Sequence, residues 1–131
     1  MSNIQTNSNF KSNKFDLEDR TARFGELVID LCKLIKQDLM TKNIISQLLR
    51  SRTSIGANYC EASEANSKKD FINKIAIAKK ETKETRYWLR MLVYTLPEIK
   101  DKASSLLNES KELNLIFAAT IRTASERLII K

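Results

Sequence analysis

Four cationic side chains recur at regular intervals within one stretch of the chain. They follow one another at spacings of four, three and four residues: Lys79, Lys83, Arg86 and Arg90. On an α-helix these steps return to one face, because each residue turns the chain by about 100°. The four side chains, called the basic ridge below, would lie within about 60° of one another and extend over about 20 Å. Such a row suits a phosphate backbone or an acidic protein, and it is not a catalytic constellation.

The excess charge of the protein is concentrated around this ridge. The 131 residues include 23 Lys or Arg and 16 Asp or Glu, a formal net charge of +7. Residues 66–97 hold eight of those cations and three of those anions, so they carry +5. Further candidates for the same surface in this segment are Lys68, Lys69 and Lys74. A basic segment attracts nucleic acid, anionic membrane or acidic protein without choosing among them, and a merely solvated surface is the plain alternative.

Side chains that commonly perform catalysis or bind metals are scarce. The chain has no histidine, and its two cysteines, Cys32 and Cys60, fit no metal spacing. We expect both cysteines to behave as small buried hydrophobic residues. Four glutamates have a spacing similar to that of ferritin-like metal sites: Glu61, Glu64, Glu81 and Glu84. Those sites also need Glu-x-x-His, so the glutamates alone do not predict a metal site. We therefore expect no enzymatic activity, no metal and no cofactor.

The sequence also shows no pattern typical of a targeting signal. No run of about 18 apolar residues predicts a transmembrane helix. The first residues lack the basic and then apolar pattern of a signal peptide. We expect a cytoplasmic protein without a membrane partner.

The composition predicts a few long helices. Only two glycines and one proline are available to build turns. Apolar residues recur at steps of three and four in four segments, and Ser67 and Pro97 mark two of the helix ends. We predict an all-α protein, an up-down-up-down four-helix bundle over residues 16–131 after a disordered leader over residues 1–15. The predicted helices cover residues 16–37, 42–65, 67–96 and 101–129.

The predicted third helix carries a second apolar face. Its far side holds Ile77, Tyr87, Trp88, Met91 and Tyr94. A bundle helix needs one apolar stripe, and Tyr, Trp and Met are enriched at interfaces, so this face predicts self-association. Glu81 and Glu84 would then pair with arginines of a neighbouring copy. Two alternatives stay open: Trp88 packs within its own chain, and the glutamates pair with cations of their own helix.

Two blocks of the sequence form a recognisable pattern. Residues 47–62 read Gln-Leu-Leu-Arg-Ser-Arg-Thr-Ser-Ile-Gly-Ala-Asn-Tyr-Cys-Glu-Ala. The second block runs from Lys68 to Leu89 and ends in Lys-Glu-Thr-Lys-Glu-Thr-Arg-Tyr-Trp-Leu. Together with Arg20-Thr21 and the region from Glu109 to Leu113, this pattern resembles the 23S rRNA intervening-sequence proteins, also called four-helix bundle proteins. The resemblance covers roughly residues 16–128.

The resemblance implies an all-helical protein that assembles as a ring, typically a pentamer, around a central channel. Some such proteins are encoded inside insertions in bacterial large-subunit rRNA genes. The related accessory variability determinants of diversity-generating retroelements bind a reverse transcriptase and nucleic acid. The family's motif positions here are Arg50, Ser54, Asn58, Glu61, Asp70, Glu84 and Trp88. We expect Asn58 and Glu61, one turn apart, to bond Arg50 or Arg52 across an interface between copies.

Two main hypotheses about function follow. The first is a non-catalytic homo-oligomer that binds RNA or DNA through its basic ridges, with weak sequence preference and strong salt dependence. The second is a scaffold that docks a partner enzyme, such as a retroelement reverse transcriptase. A helical enzyme with buried carboxylates and a metal is a third class, for which we find no specific motif.

Overall fold

The computed structural model describes the backbone of residues 16–130 and the side chains of residues 17–127. Four long helices account for most of it: α1 (Asp16–Lys33), α2 (Thr41–Ser63), α3 (Lys68–Thr95) and α4 (Lys100–Ile130). A short 3-10 turn, Pro97–Ile99, joins α3 to α4, and residues 16–130 contain no strand. The predicted leader over residues 1–15 lies outside the described residues.

The helices pack in chain order. Contacts join α1 to α2, α2 to α3, α3 to α4 and α4 back to α1, while the diagonal pairs do not meet within the described residues. This is the contact pattern of an up-and-down bundle, so the predicted four-helix bundle is confirmed. Each helix contributes fully buried side chains to one core, including Phe24, Val28, Leu48, Ile55, Ile75, Leu89, Leu113 and Phe117.

Two predicted helix ends are where local sequence signals place them. The Ser67 hydroxyl accepts a hydrogen bond from the backbone N–H of Asp70 at 3.0 Å, which satisfies one of the unpaired donors at the start of α3. At the other end of α3, Pro97 disfavours helical geometry at Leu96, and the helix ends at Thr95.

The connection between α1 and α2 differs from the prediction. α1 ends at Lys33 instead of Gln37, and Leu34, expected in the core, is exposed. The Asp38 carboxylate accepts hydrogen bonds from the backbone N–H groups of Met40 and Thr41, each at 2.9 Å. These bonds hold the pKa of Asp38 below its ordinary value, with the Thr41 N–H as the largest cause. Asp38 therefore organises the entry to α2.

Small and polar residues in the middle of α2 let neighbouring helices approach. Ser51 is fully buried and accepts a hydrogen bond from the Thr85 hydroxyl of α3 at 2.8 Å. On the side facing α1, a Cβ added at Gly56 would lie 3.7 Å from the Thr21 hydroxyl. Buried polar groups are tolerated when they are bonded, so this region is a helix–helix contact within the chain.

An ion pair joins the first helix to the last. Arg20 of α1 donates through Nε to Glu109 Oε2 at 2.6 Å and through Nη2 to Glu109 Oε1 at 2.9 Å. This bidentate geometry is stronger than a single contact, and hydrogen bonding to Glu109 raises the pKa of Arg20 above its ordinary value. The pair ties the first helix to the last through two residues that lie 89 positions apart in the sequence.

Candidate nucleic-acid interface

The basic ridge lies on α3, with its four side chains exposed to different degrees. Lys83 and Arg90 are exposed, whereas Lys79 and Arg86 are half-buried. The Arg86 Nε is buried and has no hydrogen-bond partner in the described part of the chain. Lys83 and Arg90 are therefore the ridge cations best placed to meet a ligand.

Among the described residues, the ridge cations have no carboxylate partner. Over the described residues, none of Lys79, Lys83, Arg86 and Arg90 forms an ion pair. No Asp or Glu occurs between Glu84 and Glu98 in the sequence. The second half of α3 therefore presents positive charge without a local counter-charge.

The two glutamates of α3 turn away from the ridge, toward α2. Arg50 of α2 pairs with Glu81 at 3.5 Å and with Glu84 at a shorter distance. Glu84 also accepts a hydrogen bond from the Trp88 indole N–H at 3.4 Å. The sequence analysis expected these glutamates to meet a neighbouring copy or cations of their own helix, and the structure instead gives them an arginine 31 and 34 residues away in the same chain.

Other predicted site residues also have partners within the chain. Lys74 pairs with Glu61 at 2.7 Å, and this hydrogen bond is the largest cause of the raised pKa of Lys74. The Asn58 amide donates to the backbone carbonyl of Ser54 at 2.8 Å. Bonds from Asn58 or Glu61 to Arg50 or Arg52 of another copy stay a prediction, because hydrogen bonds within one chain do not bear on them. Lys74 is therefore a less available cation than the ridge residues.

Arg52 lies at the contact between α1 and α2. Its Cδ would be 3.6 Å from a Cβ added at Gly25, and its Nε is buried without a hydrogen-bond partner in the described part of the chain. Its predicted role at an interface between copies stays a prediction.

The predicted second apolar face of α3 divides into two parts. Trp88 packs against the core of its own chain, the alternative left open above, and Met91 is half-buried. Ile77, Tyr87 and Tyr94 remain exposed. The Tyr87 ring meets the Trp88 ring edge to face, with centroids 5.2 Å apart. Only the exposed part of this face is open to a partner.

The two exposed tyrosines lie on the same side of α3 as the exposed ridge cations. Lys83, Tyr87, Arg90 and Tyr94 follow at spacings of four, three and four, and all are exposed. The sequence analysis placed the tyrosines and the cations in separate sectors. Their helical-wheel positions differ by only about 20° to 60°, a signal already present in the sequence.

Lys68 and Lys69 are exposed at the start of α3, more than two helical turns before the basic ridge begins at Lys79. Lys68 borders a groove of about 870 Å³ whose walls include Tyr59, Phe71 and Ile116. Lys68 therefore belongs to the surroundings of this largely apolar groove, at the end of the bundle where α2 meets α3.

The described residues offer neither a metal site nor a membrane-spanning helix. Over residues 17–127, no group of three or more His, Cys, Asp or Glu side chains is placed to hold a metal ion. No helix in the same range is long and apolar enough to cross a membrane.

The fold and the site together define a four-helix bundle protein with an unneutralised basic surface on its third helix. The chain belongs to the 23S rRNA-intervening sequence protein family, whose model matches residues 13–119. It is similar to a solved structure from Bacteroides thetaiotaomicron, described as a protein with unknown function from the S23 ribosomal protein family. The two chains are 38% identical, with a TM-score of 0.69 over 79% of this chain and 96% of the other. No curated protein matches the chain.

Proposed function

We propose that this protein is a non-catalytic accessory protein that binds RNA through the basic ridge of α3. The observation that carries the proposal is the separation of charges on this helix. Glu81 and Glu84 are held by Arg50, while the ridge cations form no ion pair in the described chain. A helix whose anions are engaged on one side and whose cations are open on the other is suited to a polyanion.

The proposed contacts are mainly to phosphate. Lysine and arginine side chains on an exposed helix reach a sugar–phosphate backbone without reading base edges, so sequence preference should be weak. Each cation that neutralises a phosphate releases counterions, so affinity should fall as salt rises. The description of the family, which refers to 23S rRNA, is compatible with an RNA partner.

A paired charge reversal tests this proposal. Lys83→Glu combined with Arg90→Glu should weaken the binding of a fluorescein-labelled RNA by at least tenfold at about 100 mM salt. The slope of log affinity against log salt should fall by about 1.4, since roughly 0.7 is expected per single-strand phosphate contact. Fluorescence anisotropy over a salt series measures both quantities. Arg86 is left unchanged because its Nε is buried.

The matched control carries the same two types of change on the opposite helix. Arg23→Glu with Lys33→Glu lowers the formal net charge by four, from +7 to +3, as the ridge variant does. Both control residues are exposed on α1, which does not contact α3. Equal losses in the two variants would show that only net charge matters. Unchanged affinity in the ridge variant would refute the assignment and favour a protein partner.

A further inference from the structure

We propose that Lys83, Tyr87, Arg90 and Tyr94, called the aromatic–basic stripe, bind single-stranded RNA by stacking unpaired bases on the two tyrosine rings. This inference rests on the proposed function, and it specifies the kind of RNA that the site accepts. Lys83 and Arg90 hold phosphates, and Tyr87 and Tyr94 hold bases.

The geometry of the stripe alternates cations and rings on one solvent-facing line. The Tyr87 and Tyr94 side chains are 51% and 85% exposed. Seven residues separate them, which is almost two helical turns, so the rings point in nearly the same direction about 10.5 Å apart. Lys83 precedes the first ring, and Arg90 lies between the two.

The two rings differ in how firmly they are held. Tyr87 rests edge to face against Trp88, which is itself packed on the core and bonded to Glu84. Tyr94 has no ring contact or side-chain hydrogen bond within the described residues. Tyr87 is therefore a preformed platform, and Tyr94 is free to adjust to a ligand.

An unpaired base fits this surface better than a base pair does. In a duplex the base faces are stacked and hidden, so a helix surface meets only phosphates and groove edges. Unpaired bases offer a π-face, and stacking on aromatic side chains beside a positive groove is how proteins bind single strands without reading sequence. Rings about 10.5 Å apart exceed the 3.4 Å rise between stacked bases, so the bound bases are splayed.

The charge around the rings also disfavours a two-fold contact with a second copy as the occupant. A two-fold contact through this face would set Lys83 and Arg90 against the same cations of the partner copy. No carboxylate lies between Glu84 and Glu98 to offset that repulsion. A polyanion such as RNA is instead attracted by the same cations.

The test compares a single strand with a duplex. Anisotropy is measured with a 15-nucleotide unstructured RNA and with the blunt duplex formed by it and its complement. Tyr87→Ala with Tyr94→Ala should weaken single-strand binding at least tenfold and duplex binding less than twofold. Tyr87→Phe with Tyr94→Phe should retain single-strand affinity within twofold, because the rings remain. The control, Leu39→Ala with Leu115→Ala, removes two hydrophobic side chains that are 93% and 66% exposed and should change neither affinity.

The outcomes separate this inference from the proposed function. If the alanine pair has no effect while Lys83→Glu with Arg90→Glu weakens binding, base stacking is refuted and phosphate binding stands. If the wild type binds neither RNA, both proposals fail. If the alanine pair converts a larger species into a monomer in light scattering and leaves single-strand affinity unchanged, the tyrosines join copies of the chain and the inference is overturned.

Discussion

At the residue scale, the two cysteines have different surroundings. The sequence analysis expected both to be buried, but Cys60 is exposed and only Cys32 is partly buried. Burial raises the pKa of the Cys32 thiol to about 11, although the nearby charge of Arg52 opposes the rise. Burial also raises the pKa of Cys60, with a further contribution from Glu18. Chemical reactivity should therefore distinguish the two positions.

We predict that Cys60 reacts with a thiol reagent at least ten times faster than Cys32 at pH 8. At that pH a thiol with a pKa of about 11 is only about one part in a thousand thiolate, the reactive form. Stopped-flow absorbance with a disulfide reagent should show two phases, and Cys60→Ser should remove the fast one. The slow phase should accelerate as pH rises toward 11. A single phase accounting for both thiols in the native protein would contradict the prediction.

Residue spacing predicted which cations share one face of α3 better than it predicted the partners of the neighbouring glutamates. The cations of the ridge were found from spacing alone, and Lys83 and Arg90 are exposed as a surface site requires. Spacing did not predict the partner of Glu81 and Glu84, because a helical wheel describes one helix and Arg50 belongs to another. Distances between helices depend on how they pack, which spacing within one helix does not encode.

At the element scale, Arg50 links α2 to α3 through two carboxylates of α3. Glu81 is buried, with 7% of its surface exposed, and Arg50 is the cation beside it. We predict that Arg50→Met lowers the free energy of unfolding by about 1–2 kcal/mol, because a buried carboxylate loses its partner. This value is below the 3–5 kcal/mol typical of fully buried pairs, since the Arg50 side chain is 47% exposed. Urea denaturation followed by circular dichroism measures the change.

A second arginine provides the control for this prediction. Arg23 pairs with Glu26 at 3.5 Å on the surface of α1, where both side chains are about 60% exposed. Arg23→Met should cost less than about 0.5 kcal/mol, because exposed pairs contribute little. Equal costs for the two substitutions would mean that Arg50 acts as a surface residue, and that apolar packing and the other polar contacts, such as the Ser51–Thr85 hydrogen bond, hold α2 to α3.

Helix ends were predictable where the signal is local. Ser67 and Pro97 act through the backbone within a few residues, and both mark ends of α3. The end of α1 was placed four residues too late, because Leu34 and Ile35 continue its apolar spacing beyond Lys33. The hydrogen bonds between Asp38 and Thr41 form a competing local structure that apolar spacing cannot reveal.

At the scale of the whole molecule, self-association stays a prediction, made from the second apolar face of α3 and, for the pentamer, from the resemblance. We expect light scattering after size exclusion to give a mass near five times 15.1 kDa, about 75 kDa. Five copies of +7 would carry +35, so a modest charge per chain becomes a strong field. The same assembly should persist in moderate salt if apolar contacts such as those of Ile77 hold it. A 15 kDa species at every salt concentration would leave the chain as a monomeric RNA-binding protein.

The order of the helix contacts has a consequence for how the chain folds. Three of the four contacts join helices that follow one another, across connections of seven, four and four residues. Such local contacts are typical of helical domains that fold within microseconds to milliseconds. The contact between α1 and α4 is the exception, and Arg20 cannot meet Glu109 until 89 residues of chain are in place. During synthesis α1 therefore emerges first, yet its ion pair with α4 is among the last native contacts to form.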